Sequence, residues 1–586
     1  MAKYQIITTL SEDSDKKFNK YIYVGDCALP LEKFRKIKNI NPNHLFKENR
    51  KKLFYLNKKI IDIIYKEYKI FYKSNISKKS FFLLVSPFIF TFLDVIRNKN
   101  KTLSYCKKKF KSLQFASLDE NNFFYPKSFS EFLSNIQSDQ FNLQLNTEII
   151  KYKNFNNKKI KIYNSLKNKF FNLLKKNIKL KNLKEKNFIY NHKKLIMNKN
   201  IIFHKIDYRH KYALGKILKK NKNYRIFDDN KFKLNDLVKI EKNNNLRNQI
   251  LKSLLKENQE VKFFSNLLIK YLPSLYLESI EENIINFSDK IKSVPFKIIS
   301  NAHGWWANDC FKFYLATCLN NNSKYIDIQH NGTYFIFDDN VHFNISSLFR
   351  DKFIGWGQVC EKFSNCSSLP ALYSIQKSKP KVSNGNKIIL MSANISRFFE
   401  GYRNSYLSGG QNLKYFNNQI LFLEKINSEI QKHLIIRARF NVKDPNDYSS
   451  YLKKKFKKIK IETIKKPAFD RLNKPDIKII VVDHCSTPWL EALFLNKPLI
   501  MFWDRNINVI SKEFLKLFEE LRSNNILFDD PQKAVARLNS VYSFQTDWWY
   551  SNKIQKLRKK ILNLFFIHNK EAINMWNNRL TNIISS

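Results

Sequence analysis

The segment DHCSTPWLEALFLNKPLIMFWD, residues 483–504, carries the densest set of groups suited to holding an anion. An apolar run ends at Val482, and Asp483, His484, Cys485 and Ser486 follow as a turn. Thr487 is expected to cap the next helix with Pro488 at its first position, where a missing N–H does no harm. The start of such a helix offers N–H groups and the positive end of its dipole, which suit a phosphate. Ser486 and Thr487 add hydroxyl donors, and Glu491, one turn in, is placed to accept from ribose hydroxyls. An ordinary capped helix of an α/β domain would carry the same pattern.

A second constellation is IDIQHNGTYF, residues 326–335. His330 follows an apolar strand and precedes the turn at Gly332, with Gln329 beside it. A neutral imidazole there can take a proton from an acceptor hydroxyl. Asn301 and His303, before Gly304, hold the equivalent place after the preceding strand, so His303 and His330 fall on adjacent strand ends. Third, Arg437 and Arg439 close the strand HLIIRARF; alternate strand residues share a face, so both can point at one anion. There is no GxSxG and no Ser-His-Asp order in the chain that marks a hydrolase. The acidic pairs Asp338-Asp339 and Asp529-Asp530 lack partners at ligand spacing. None of the seven cysteines are spaced as CxxC. Neither a metal nor another cofactor is expected.

Ligands of open parallel sheets bind beyond the carboxyl ends of the strands, so the elements must deliver these residues there. The runs FKIISNAHG (296–304), KYIDIQHNG (324–332) and KFIGWG (352–357) form one strand series. NKIILMSAN (386–394), HLIIRARF (433–440), KIKIETI (458–464), DIKIIVVDHC (476–485) and PLIMFWD (498–504) form another. Continuous apolar strands alternating with helices imply parallel sheets covered on both faces. The expected fold class is α/β, with two Rossmann-like domains facing a cleft and a large helical N-terminal part. The expected boundaries are 1–375 for the acceptor side, 386–545 for the donor side, and 546–586 for helices packing back on the first domain. Within the first, residues 17–26 read as a strand, 45–115 as helices, and about 148–290 as a helical, Lys- and Asn-rich insert.

A chain of 586 residues suggests two to four domains. Its 43% hydrophobic content excludes disorder over the whole length. The formal charge of +55 makes nucleic acid or an anionic membrane surface natural partners to test. The chain is also crowded with Lys, Asn, Ile and Phe and holds only 10 Gly, as a coding-composition bias would produce. Lys is spread throughout rather than clustered with aromatics, so no specific nucleic-acid partner is expected. Eight of the ten glycines lie between 304 and 410, which marks that stretch as the constrained part. The stretch Phe81 to Leu93, at 13 residues, is shorter than a membrane span and reads as a buried helix. The sparse cysteines and the polar N-terminus imply a cytoplasmic protein, with any membrane contact peripheral.

These residues carry a resemblance. DHCSTPWLEALFLNKPLIMFWD resembles a D-x-S-S/T-x-x-x-E-A-L-x-x-x-K-P donor-binding segment of GT-B glycosyltransferases that build surface polymers, and IQHNGTY resembles their Q-H-G-G/T segment. Looser versions occur in CDP-glycerol glycerophosphotransferases and bacterial polysialyltransferases. The chain also resembles a transferase family of bacterial O-antigen loci, including in the strand that ends in Gly25, Asp26 and Cys27. It departs at Asn331, where Gly is usual, and at His484-Cys485, where Tyr-Ser is common. The resemblance implies transfer of a sugar from a nucleotide-sugar donor to a glycan or lipid-linked glycan, without a metal. It casts His330 as the base or an acceptor-site residue, and His303, on the adjacent strand end, is expected to be catalytic beside it. Ser486, Thr487 and Arg437, with Arg439, Asp483 and His484, fall on the donor side, as does Glu491 at the ribose. Asp26, Asn301, Gln329 and Gly332 fall on the acceptor side. A nucleic-acid-binding protein and an inactive scaffold of the same fold are the alternatives.

Overall fold

The computed structural model describes residues 4–7, 21–24, 50–110, 113–155, 157–160, 201–204, 215, 217, 224–227, 236–291, 294–337, 340–375, 385–393, 398–399, 401, 412–437, 448–462, 467–506 and 510–585. Near the N-terminus, β1 (Tyr4–Ile7), β2 (Tyr21–Tyr23), β3 (Leu113–Leu118) and β4 (Asn157–Ile160) form a parallel sheet in the order β2-β1-β3-β4. Three long helices lie between these strands in sequence: α1 (Arg50–Tyr72), α2 (Lys78–Lys109) and α3 (Asp139–Tyr152). The Ser77 side chain caps α2 by accepting the Ser80 N–H, and three lysines close its last turn, where cations suit the negative dipole end. α2 is long and apolar enough to cross a membrane, and its apolar window is buried inside the fold. The apolar run Phe81 to Leu93 is thus only part of a longer helix.

The first six-stranded sheet takes two strands from the region expected to be a helical insert. β5 (Ile201–Phe203) and β6 (Tyr224–Ile226) pair in parallel with each other, and β5 pairs with β7 (Lys297–Ser300). Helices α4 (Asn244–Leu254), α5 (Gln259–Tyr271) and α6 (Ile280–Lys290) intervene. The expectation of helix throughout 148–290 is therefore corrected. Two three-residue strands are too short for their period to show in a Lys- and Asn-rich background. Residues 161–200, Asp26 and Arg439 lie outside the described residues. After β7 come the single-turn helix α7 (Ala302–Trp305), α8 (Asp309–Asn320), β8 (Lys324–Ile328), β9 (Lys352–Gly355) and β10 (Cys366–Ser368), in the sheet order β10-β9-β8-β7-β5-β6. Asn308 caps α8 by accepting the Phe311 N–H, and α8 packs on α2, so one apolar core joins the helical part to this sheet.

The second sheet is built from β11 (Lys387–Met391), β12 (Leu434–Arg437), β13 (Lys460–Glu462), β14 (Ile477–Val482), β15 (Leu499–Phe502) and β16 (Leu527–Phe528), ordered β13-β12-β11-β14-β15-β16 and parallel throughout. α9 (Asn412–Lys425) follows β11, and α10 (Thr487–Phe494) joins β14 to β15. Met391 pairs with both Arg437 and Val482, so three strands finish side by side. The two sheets are separate. An apolar cluster joins them, with Tyr334, Phe353 and Trp356 from one side and Met391, Trp489 and Leu490 from the other. Beyond the second sheet, α11 (Asn552–Phe565) contributes to that cluster, and α12 (Ala572–Ser585) returns to the first sheet. There Trp576 and Leu580 pack with Ile299, Ile326 and Ile354.

Candidate active site at the facing strand ends

In the second domain, β14 is fully buried along its C-terminal half, from Ile479 to Val482, and delivers Asp483 into a buried turn. Three donors converge on the Asp483 carboxylate. His484 Nδ1 lies 2.8 Å from Oδ1, while the Tyr415 hydroxyl donates to Oδ2 at 2.8 Å and Gln419 Nε2 at 2.5 Å. Tyr415 and Gln419 sit one turn apart on α9, and the Tyr415 oxygen also accepts the Ala393 N–H at the end of β11. On its other side, His484 Nε2 lies 2.6 Å from Ser486 Oγ. Ser486, His484 and Asp483 therefore form one hydrogen-bonded chain, a spatial arrangement that no Ser-His-Asp order along the sequence announces.

Ser486, not Thr487, holds the N-cap position of α10, with extended backbone, and its side chain makes no capping bond. The expected Thr487 cap is thereby corrected: the hydroxyl of Thr487 accepts the Gly332 N–H at 3.0 Å, across the domain boundary. Glu491 is fully buried on α10 and presents no surface to a ribose in this conformation. Arg437 is buried at the end of β12. Burial pushes the Cys485 thiol far up, so it stays a neutral filler between the two polar neighbours.

In the first domain, β7 and β8 end in register, Ser300 opposite Asp327, so the loops that follow lie side by side. His303 is exposed and His330 half-buried, with ring centroids 4.5 Å apart and edge to face. The His342 ring is 5.3 Å from His330. The Tyr334 oxygen sits 2.6 Å from His330 Nδ1, and Asn331 Nδ2 sits 3.1 Å from Nε2. Asn331 Oδ1 in turn accepts from the Thr333 N–H at 3.0 Å and hydroxyl at 2.7 Å. Burial raises the Tyr334 phenol well above its ordinary range, so it remains a phenol. Beneath the loop, burial pushes the Asp327 carboxyl up to about 6, with Arg350 pulling against it.

Two of the expected acceptor-side residues build the wall rather than face outward. Asn301 is fully buried and caps α7 by accepting the His303 N–H at 2.9 Å. Gln329 is buried and braces the loop, donating to the Asn331 carbonyl at 2.7 Å and accepting the Trp356 N–H at 2.8 Å. Gly332 is needed for close approach. A Cβ there would lie 3.2 Å from the Thr487 Cα and 2.7 Å from Leu490 Cδ1. Tyr334, Tyr415 and Gln419 belong to the site although the sequence patterns did not single them out. Tyr334 stands four residues after His330 in the same motif, and that spacing is a usable signal. Nothing local links α9 to a turn more than sixty residues away. Among the described residues, no group of three or more His, Cys, Asp or Glu side chains is placed to hold a metal.

The site thus pairs an imidazole on one domain with a hydroxyl-flanked helix start on the other, at the carboxyl edges of two parallel sheets. Such a pairing suits a proton acceptor facing an anion-stabilising pole. Solved structures similar to this chain include Os79 from O. sativa in complex with UDP, at 8% identity and a TM-score of 0.36, covering 65% of this chain and 99% of that one. The spinosyn forosaminyltransferase SpnP is similar at 7% identity and a TM-score of 0.33, covering 67% and 100%. UGT2 of Phytolacca americana, complexed with UDP-2-fluoro-glucose and pterostilbene, is similar at 10% identity and a TM-score of 0.33, covering 66% and 100%. Superpositions this loose say nothing about substrate. No curated protein matches the chain. The family model described as LIC12162 family transferase matches residues 6–580, nearly the whole chain. The chain belongs to the LIC12162 family of transferases.

Proposed function

We propose that this transferase moves a glycosyl unit from a nucleotide-sugar donor to a hydroxyl of a growing surface polysaccharide, of O-antigen or capsule type. The observation that carries the reading is the meeting of the His330 loop with the start of α10, where the Gly332 N–H donates to Thr487 Oγ1 at 3.0 Å. A sugar hydroxyl is a poor nucleophile near neutral pH and needs a base within hydrogen-bond reach. His330 Nε2 takes the hydroxyl proton as the oxygen bonds to the anomeric carbon. The bond from that carbon to the donor phosphate breaks, and its electron pair stays on the phosphate oxygen. The first-turn amides of α10, the Ser486 hydroxyl and Arg437 meet the charge that develops there. The acceptor is a glycan or a lipid-linked glycan, and the protein works in the cytoplasm with peripheral contact to the membrane.

The test is turnover beside donor binding. His330→Ala is expected to spare donor binding and lower turnover by about 10²–10⁴-fold, the usual share of general acid–base catalysis. Ser486→Ala combined with Thr487→Ala is expected to weaken donor binding instead. A panel of nucleotide-sugars read by calorimetry, with turnover on purified acceptor glycan, separates the two. Loss of donor binding in His330→Ala with turnover intact at saturating donor would reverse the assignment.

A further inference from the structure

We infer that His484 is a positioning residue whose protonation turns the Ser486 hydroxyl toward the donor phosphate, so that donor and one proton bind together. This rests on the proposed function, because it assumes that a phosphate comes to the start of α10. Three donors already converge on the Asp483 carboxylate, one of them His484 Nδ1 at 2.8 Å. His484 therefore carries a hydrogen at Nδ1, and in its neutral form Nε2 is an acceptor. The Ser486 hydroxyl, 2.6 Å away, then spends its only hydrogen inward on Nε2. A hydroxyl committed in that way presents only lone pairs to an incoming phosphate, and the two repel.

Protonation of Nε2 reverses the bond. The imidazolium donates to Ser486 Oγ, and the serine hydrogen becomes free to donate outward. The positive charge sits between the buried Asp483 carboxylate and the bound phosphate, a placement that favours it from both ends. The pole that meets the leaving phosphate gains a full charge carried by the chain itself. Among the described residues, the titratable and charged groups on the elements that meet this turn include Asp483 and Cys485 of the turn itself, Glu491 of α10, Tyr415 of α9, Arg437 at the end of β12, and the Lys414–Asp504 ion pair. Tyr415 is already engaged with Asp483, and the Cys485 thiol is held neutral by burial.

The sign comes from linkage. The donor-bound state favours the imidazolium over the neutral ring at this position, so donor affinity rises as pH falls. The rise is at most about tenfold per pH unit, for one linked proton. The probes are nucleotide-sugars, whose phosphates are diesters with no proton to exchange near neutrality: UDP-glucose, UDP-N-acetylglucosamine, GDP-mannose and a CMP-linked ulosonic acid. Each is titrated calorimetrically into the full-length chain between about pH 5.5 and 8.5, in paired buffers of different ionisation enthalpy, which report protons taken up. The wild type is expected to take up close to one proton per donor near the middle of the range. His484→Gln, whose amide can donate to Asp483 and accept from Ser486 but takes up no proton near neutrality, is expected to abolish the uptake and flatten the pH dependence. Ser486→Ala reaches the same result from the less buried end of the chain, should His484→Gln not fold. His330→Ala is expected to leave the uptake in place. Donor binding without proton uptake, or uptake lost in His330→Ala and kept in both His484→Gln and Ser486→Ala, overturns the relay and leaves the proposed function standing. Failure of every probe to bind at any pH overturns the proposed function and the relay together.

Discussion

At His330 the surrounding hydrogen bonds select a tautomer. Thr333 donates twice to Asn331 Oδ1, so the Asn331 amide hydrogens must face His330 Nε2. An acceptor nitrogen at Nε2 leaves the hydrogen on Nδ1, where the Tyr334 oxygen receives it. The lone pair required of a base is thus at Nε2, beneath an amide that the acceptor hydroxyl displaces. Asn331 thus sets the tautomer of His330 through its own side chain. Replacing the amide by a carboxylate tests the point. In Asn331→Asp the new charge favours the imidazolium, because an opposite charge within hydrogen-bond distance stabilises the protonated form. The base form then appears only at higher pH. The acid limb of the kcat/KM profile is expected to move up by about one pH unit or more, with the alkaline plateau less affected. An acid limb that stays in place would show that Nε2 is not the base. Asn331→Gly, the residue usual there, is expected to keep the limb where it is in the wild type.

Among the elements, α12 packs far from its neighbours in sequence. It follows the second domain and packs on the first sheet, with Trp576 Nε1 donating to the Pro370 carbonyl at 2.8 Å and Leu580 fully buried. The Trp576 indole lies against the strands that present Asn301, His303 and His330 at their ends. Trp576→Ala is expected to lower stability by about 3–5 kcal/mol, the usual result of emptying a buried indole site. Urea unfolding followed by circular dichroism reads this, and a loss below about 1 kcal/mol would mean that the helix contributes little to holding the sheet. The same scale shows what was legible in the sequence. β7, β8, β11 and β14 were readable because a strand buried on both faces must be apolar along its length, and each ends in a turn. β5, β6 and β16 were not, at three residues or fewer each. The site divides in the same way. His330 and Ser486 announce themselves by position after a strand. The contact of Ser486 with His484, and the reach of Tyr415 and Gln419 to Asp483, are set by how a turn closes and how α9 leans, and no local pattern encodes either.

Across the whole molecule, the two sheets share an apolar cluster on one side and touch through Gly332 and Thr487 at the site. The chain carries a formal net charge of +55. Lysines pair with acids on widely separated elements: Lys59 with Glu257, Lys79 with Asp351, Lys455 with Glu424 and Lys560 with Glu520. α1, at one end of the chain, and α11, at the other, both carry several more lysines. Sequence-specific recognition of a duplex needs side chains directed at base edges from an element seated in a groove, whereas spread lysines meet phosphates alone. Phosphate contact gives affinity that falls steeply with salt and is blind to sequence. Two unrelated duplexes of equal length, titrated by fluorescence anisotropy, are therefore expected to bind equally well at about 50 mM salt and to be released together by about 200 mM. Nucleotide-sugar binding is expected to change far less over that range, because the proposed donor site lies at the partly buried facing strand ends, where salt screens charges less than on an open surface. One duplex held more tightly than the other at physiological salt would return the charge to a nucleic-acid function and remove coding-composition bias as its cause.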